Sequence, residues 1–141
     1  RMFTPMLKEA NRDLRGEGDL AERLGAVTST LVRFAAGNPA AARLVLRESF
    51  SGSSEAGDVV GIASQKGWSN FAKALAREDG VDFDPLVVWN IIVGSICFHF
   101  GAGTDVGGLS YDPCDPKRVA EFEARMIHLT QTQCGFVPES Q

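Results

Sequence analysis

Apolar residues recur along this chain at intervals of three and four positions, the spacing that places them on one face of an α-helix. Phe3, Leu7, Ala10 and Leu14 form the first such stripe. No run of alternating β-branched residues is bounded by hairpin turns, so no sheet is expected. The pattern predicts an all-α fold of six helices. We expect them near Pro5–Arg15, Leu20–Gly37, Pro39–Phe50, Val60–Leu75, Pro85–Phe100 and Val119–Leu129.

Proline marks four of the predicted helix starts. A residue able to accept the free amide hydrogens of a first turn precedes each proline, and proline in the first turn loses no hydrogen bond. Asp19 with Glu22 three positions later has the spacing of a capping box. Asp112–Pro113 lies too close to the last start and is interpreted as a turn. The four starts are Thr4–Pro5, Asn38–Pro39, Asp84–Pro85 and Asp115–Pro116.

The fifth predicted helix, "PLVVWNIIVGSICFHF" (Pro85–Phe100), has no charged residue and is apolar on nearly every face. Sixteen residues at about 1.5 Å each fall short of a ~30 Å hydrocarbon core, and the segment contains Asn90 and His99, so a membrane span is disfavoured. Two alternatives stay open: burial by the other five helices, or one face against the core and the other against a second copy of the chain.

A homodimer is the alternative that we favour, because small residues in mid-helix allow two backbones to approach closely. The sixth helix repeats apolar positions at the alternating spacing of a helix–helix seam. Two such helices from each of two chains would form a two-fold four-helix interface. The predicted interface comprises Val87, Ile91, Gly94, Ser95, Val119, Phe122, Met126 and Leu129.

Composition is that of one ordinary globular domain spanning residues 1–141. Apolar residues make up 44% and charged residues 23%, and fourteen Lys and Arg against eighteen Asp and Glu give a net charge of -4. The longest basic run is the pair Lys117–Arg118. Such a chain lacks the basic surface that holds nucleic acid, so we expect weak DNA binding by this chain alone.

Three cysteines, Cys97, Cys114 and Cys134, are spaced seventeen and twenty residues apart. An odd count without a CxxC pair disfavours a disulfide framework or a zinc site and indicates a reducing compartment. We therefore predict a cytoplasmic protein with no metal and no cofactor.

Three segments resemble the C-terminal, ligand-binding and dimerisation region of TetR-family transcriptional regulators. The first segment, Leu24–Phe50, contains a long helix followed by an Asn-Pro helix start and the sequence "RLVLRE". The second is the apolar helix with its Asp-Pro start (Asp82–Phe100), and the third is the closing amphipathic helix (Asp115–Gly135). They cover about half of the chain and match in helix order and spacing rather than in an invariant motif.

The resemblance implies a domain that senses a small effector and dimerises through its last two helices. In that family a helix-turn-helix ahead of this region binds DNA, so residues 1–16 would contain the helix that leads to it. Effector binding would then alter the DNA affinity of a transcriptional repressor, and DNA would be contacted only through that preceding part.

The resemblance also implies an effector pocket among the middle helices. Large apolar side chains with a few polar groups are typical of such pockets. The candidate ligand-binding residues are Phe50, Trp68, Phe71, Trp89, Asn90, Phe98 and His99.

No arrangement for catalysis stands out in the sequence. His99 and His128 lie twenty-nine positions apart, and neither a Gly-x-Ser-x-Gly elbow nor an HExxH motif occurs. We therefore predict that the chain is not an enzyme. The alternative is a free-standing all-helical enzyme or small-molecule carrier that uses the same pocket.

Overall fold

The computed structural model describes the backbone of residues 2–51, 55–102, 105–106, 109–110 and 112–135, and the side chains of residues 2–48, 63–102 and 112–135. Six helices occupy most of these residues, which confirms the predicted all-helical fold. They are α1 (Thr4–Leu14), α2 (Leu20–Gly37), α3 (Pro39–Ser51), α4 (Glu55–Leu75), α5 (Pro85–Gly101) and α6 (Pro116–Gln133).

A pair of two-residue strands lies in the connection between α5 and α6. Strand β1 (Asp105–Val106) pairs antiparallel with β2 (Leu109–Ser110). The expectation of no sheet is therefore wrong at these four residues. The Gly-Gly dipeptide that separates the strands in the sequence favours a tight hairpin. The pair is too short to change the fold class.

Five of the six helices start within one residue of the predicted capped positions, whereas α4 begins at Glu55 rather than at Val60. Only two of the starts use the predicted side-chain caps. Asp19 accepts from the Glu22 amide at 2.8 Å and Glu22 accepts from the Asp19 amide at 3.1 Å, a complete capping box. Asp84 accepts from the Leu86 amide at 3.0 Å. Asp115 makes no such bond, and Thr4 is itself the first residue of α1.

The third predicted cap, Asn38, serves the preceding helix instead. Its side-chain amide donates to the Phe34 carbonyl of α2 at 3.0 Å. Asp112 forms the predicted turn, in which its carboxylate accepts from the Cys114 amide at 2.9 Å.

Helix α2 lies at the centre of the bundle, against α1 on one side and α6 on the other, while α3 packs mainly on α5. The close crossing of α3 and α5 requires Gly101, because a Cβ there would lie 3.0 Å from the backbone of Ala42. Gly25 similarly brings α2 near Ile127 of α6. The main hydrophobic core joins all six helices, with Ala42 as the contribution of α3, and a smaller cluster joins Phe3, Leu7 and Ala41.

Polar contacts also fix these helices. Thr28 of α2 is fully buried, and its hydroxyl lies 3.2 Å from that of Thr130 on α6. Arg23 donates to the Leu14 carbonyl at 2.9 Å and forms an ion pair of 2.7 Å with Glu78, just after α4. One guanidinium therefore ties the end of α1, the start of α2 and the end of α4 together.

Helix α5 has two different apolar faces. Val88, Ile92 and Ile96 point into the core of the chain. On the other side Val87 is 51% exposed and Phe98 is 66% exposed. Among the described residues no helix is both long and apolar enough to cross a membrane.

Candidate functional site

An apolar cavity of about 80 Å³ lies where the smaller hydrophobic cluster meets the main core. Helices α1 to α5 all contribute to its wall. One water-sized group needs about 10–15 Å³ of such space, so the cavity has room for about six of them. The lining residues are Phe3, Met6, Leu7, Leu31, Phe34, Ala35, Ala41, Ala42, Val45, Ala63, Ser64, Trp89, Val93, Ile96 and Cys97.

Among the lining residues that the structure describes, none has a charged side chain. Their side-chain groups other than hydrocarbon are the Ser64 hydroxyl, the Cys97 thiol, the Met6 thioether and the Trp89 indole. Burial raises the pKa of the Cys97 thiol to about 11, so the thiol is neutral at physiological pH. A neutral thiol behaves as a small hydrophobic group and a weak hydrogen-bond donor. The wall therefore suits an uncharged, apolar guest, because an ion buried here would find no compensating partner.

Trp89 forms one side of the cavity and packs against α4. Its ring packs on Phe71 of α4, with ring centroids 5.3 Å apart. A Cβ built on Gly67 would lie 2.9 Å from Cζ2 of the indole and 3.2 Å from Cδ2 of Leu7. Gly67 thus provides the space in which the indole rests against α4. This is the role that sequence reasoning could not assign to a mid-helix glycine.

Of the predicted ligand residues whose side chains are described, Trp89 lines the cavity. Phe71 is fully buried behind it and Trp68 packs on the main core. Asn90 and Phe98 are exposed on α5, on a different face from the cavity wall. The side chain of Phe50 lies outside the described residues.

His99 joins α5 to α6 rather than facing the cavity. Its ring stacks on Phe122 at a centroid distance of 3.8 Å and an interplanar angle of 6°. It also meets the Phe100 ring edge-on at 4.8 Å. Burial lowers the pKa of His99 below its ordinary value, which favours the neutral imidazole. These contacts make His99 a packing residue between the last two helices.

The exposed face of α5 carries an apolar stripe, defined here as Val87, Ile91, Gly94 and Phe98. These positions are spaced by four, three and four residues, as in a helix–helix seam. Val87 and Phe98 are exposed and Ile91 is half-buried. A Cβ built on Gly94 would meet no described residue within 4 Å apart from its chain neighbours and the adjacent backbone of its own helix, so packing among the described residues does not account for this glycine.

The other predicted interface residues lie nearer to the core. Ser95 is half-buried on α5. Val119, Phe122 and Leu129 are partly buried against the main core and keep part of their surface exposed. Met126 is only 4% exposed and belongs to the core of its own chain, so it offers almost no surface to a second chain.

Phe3, Met6 and Phe34 are cavity residues that sequence reasoning missed. Their helical spacing is that of any buried stripe, so no local signal separates a residue beside a cavity from one in a filled core.

No protein-family model, curated protein or solved structure matches the chain.

Proposed function

We propose that this chain is the effector-sensing and dimerisation domain of a TetR-like transcriptional repressor, and that its effector is a small, largely apolar molecule. The apolar cavity carries the proposal. Five helices meet around it, so a guest in the cavity would change the packing of most of the domain. The resemblance of the sequence to that family supplies the regulatory role.

The size of the cavity limits the effector. Ligand pockets in proteins commonly measure about 300–1,000 Å³, well above the 80 Å³ found here. A larger effector would therefore bind by moving Trp89 or the helices around it. Such a molecule would select a more open arrangement and shift the population towards it. In a repressor this shift would change the spacing of two DNA-reading segments and lower DNA affinity.

The apolar stripe on α5 supports the dimer. Two copies related by a two-fold axis would cover Val87 and Phe98 of both chains, and Gly94 would let the helix backbones approach. The neighbouring helix α6 would complete a four-helix interface. DNA would be bound by a helix-turn-helix ahead of this chain, towards which α1 leads.

Thermal unfolding with small probes tests the proposed ligand site. Toluene and 1-hexanol at a hundred times their Kd should stabilise the chain by about 2.7 kcal/mol, which raises Tm by on the order of 10 °C. Val93→Phe should abolish the shift because the new ring occupies the cavity. Ala26→Leu, on the exposed face of α2, should keep it.

An unchanged Tm with every apolar probe would contradict the ligand-sensing role.

Light scattering tests the dimer separately, and a mass of only 15.1 kDa at micromolar concentration would contradict it. The repressor role requires the full reading frame. We expect that protein to select specific sequences from a pool of random DNA duplexes and to release them when the stabilising probe is added. If it binds no DNA, the carrier function is favoured instead.

A further inference from the structure

A second, polar groove adjoins the apolar cavity. It measures about 140 Å³ and lies between α1 and α4. Thr4, Lys8 and Asn11 come from one face of α1, and Lys66 and Asn70 come from one face of α4. Leu7 forms its floor and is also part of the cavity wall. One side chain, 8% exposed, therefore separates the two spaces.

The groove has the chemistry of an anion site. Its described lining residues include no carboxylate, and neither Lys8 nor Lys66 forms an ion pair with another described residue. The side-chain carbonyl of Asn11 accepts from Arg15 at 3.1 Å, which leaves the amide hydrogens of Asn11 as donors. Two ammonium groups and carboxamide donors match the oxygens of a carboxylate.

We infer that the effector is an amphipathic anion, with an apolar tail of about six heavy atoms in the cavity and a carboxylate head in the groove. This inference rests on the function proposed above. The groove suits the head better than the cavity does, because no described residue that lines the cavity carries a charge. To enter the cavity from the groove, the tail must displace the side chain of Leu7. This flexible side chain packs against the surface of α4 near Gly67.

Probes with six carbon atoms each and different polar heads test this inference. Hexanoate, 1-hexanol and hexylamine are titrated into a Trp68→Phe variant, in which the fluorescence of Trp89 alone reports on the cavity. We expect hexanoate to bind about tenfold more tightly than 1-hexanol, a gain typical of charge-assisted contacts at a partly exposed site. Hexylamine should bind most weakly, because its ammonium would face two others.

A double substitution identifies the source of the preference. Lys8→Gln with Lys66→Gln should remove the advantage of hexanoate and leave the affinity for 1-hexanol within about twofold, since both lysines are exposed and the cavity is untouched. The matched control, Lys73→Gln with Lys117→Gln, removes the same charge from exposed positions outside the groove and should retain the advantage.

The outcomes separate this inference from the function on which it rests. If 1-hexanol binds as tightly as hexanoate, or if the double variant keeps the preference, the anionic head is refuted and the apolar cavity stands as the ligand site. If none of the three probes changes the fluorescence of Trp89 or binds by calorimetry, both the inference and the ligand-sensing role are refuted.

Discussion

The indole of Trp89 rests directly on Gly67, with only 2.9 Å between Cζ2 and the position that a Cβ would occupy. Real Cβ atoms do not approach carbon so closely, so any side chain at this position must displace the ring or separate α4 from α5. This contact also fixes part of the cavity wall, because the Trp89 ring lines the cavity.

Gly67→Ala should therefore destabilise the domain. Overpacking of this kind costs about 1–3 kcal/mol, partly offset by the higher helix propensity of alanine, which contributes about 1 kcal/mol. We expect a net loss of about 1 kcal/mol in urea unfolding and a red-shifted Trp89 emission in the Trp68→Phe background. Gly37→Ala, at a glycine with no neighbour within 4 Å, should change stability by less than about 0.5 kcal/mol. Equal stability of the two variants would show that the contact between Gly67 and Trp89 does not limit the size of the side chain at position 67.

Gly94→Leu should separate the proposed dimer without unfolding either chain. A Cβ at this position would meet no described residue within 4 Å outside its own helix, while the backbone of a second helix packed against Gly94 would be pushed away. Light scattering should give the 15.1 kDa monomer with an unchanged helical circular dichroism signal. A dimer of unaltered Kd in this variant would exclude close packing at Gly94.

The helices were predictable because each rests on local signals. The capping box of Asp19 and Glu22 and the Asp84–Pro85 start appear in the structure as the sequence indicates. Asn38 shows the limit of such signals. Its side chain can serve either the helix before it or the one after it, and only the tertiary arrangement selects the Phe34 carbonyl.

The ligand site was much less predictable than the fold. Trp89 was identified from its size, but Phe71 has the same helical spacing and lies in a filled part of the core. Whether a buried aromatic borders a void depends on small residues on other helices, here Ala41, Ala42 and Ala63. These alanines lie on α3 and α4, far from Trp89 in the sequence. Their small side chains leave space beside the indole only when the helices are packed together.

The two buried threonines that join α2 to α6 should respond unequally to replacement. Thr28 donates to the Leu24 carbonyl at 2.8 Å and also lies 3.2 Å from the Thr130 hydroxyl. Thr130→Val leaves Thr28 its carbonyl partner and should cost less than about 1 kcal/mol. Thr28→Val leaves the Thr130 hydroxyl buried without its partner and should cost about 1–3 kcal/mol.

The double Val variant tests this asymmetry. Removing both hydroxyls leaves no unpaired group, so it should be more stable than Thr28→Val alone. Additive losses, measured by urea unfolding, would show that the hydroxyls do not act on each other.

The ion pair of Arg23 and Glu78 should make stability depend on pH in the acid range. The hydrogen bond from Arg23 lowers the pKa of Glu78 below its ordinary value of 4.5. A carboxyl whose pKa is lowered on folding stabilises the native state at pH values above its unfolded pKa. That contribution is therefore complete above about pH 4.5 and is lost as pH falls through the folded pKa.

Glu78→Gln should thus lower stability by about 1 kcal/mol at pH 7, the upper end of the range for surface pairs because both side chains are half-buried, and should have little effect near pH 3. Arg23→Ala should cost more, because Arg23 also donates to the carbonyls of Leu14 and Gly18. Unfolding of each variant in urea across pH 3–7 measures the difference. Glu17→Gln, which removes an exposed carboxylate without a described ion pair, serves as the control. A constant gap between Glu78→Gln and the parent from pH 3 to pH 7 would mean that the carboxylate charge does not stabilise this junction.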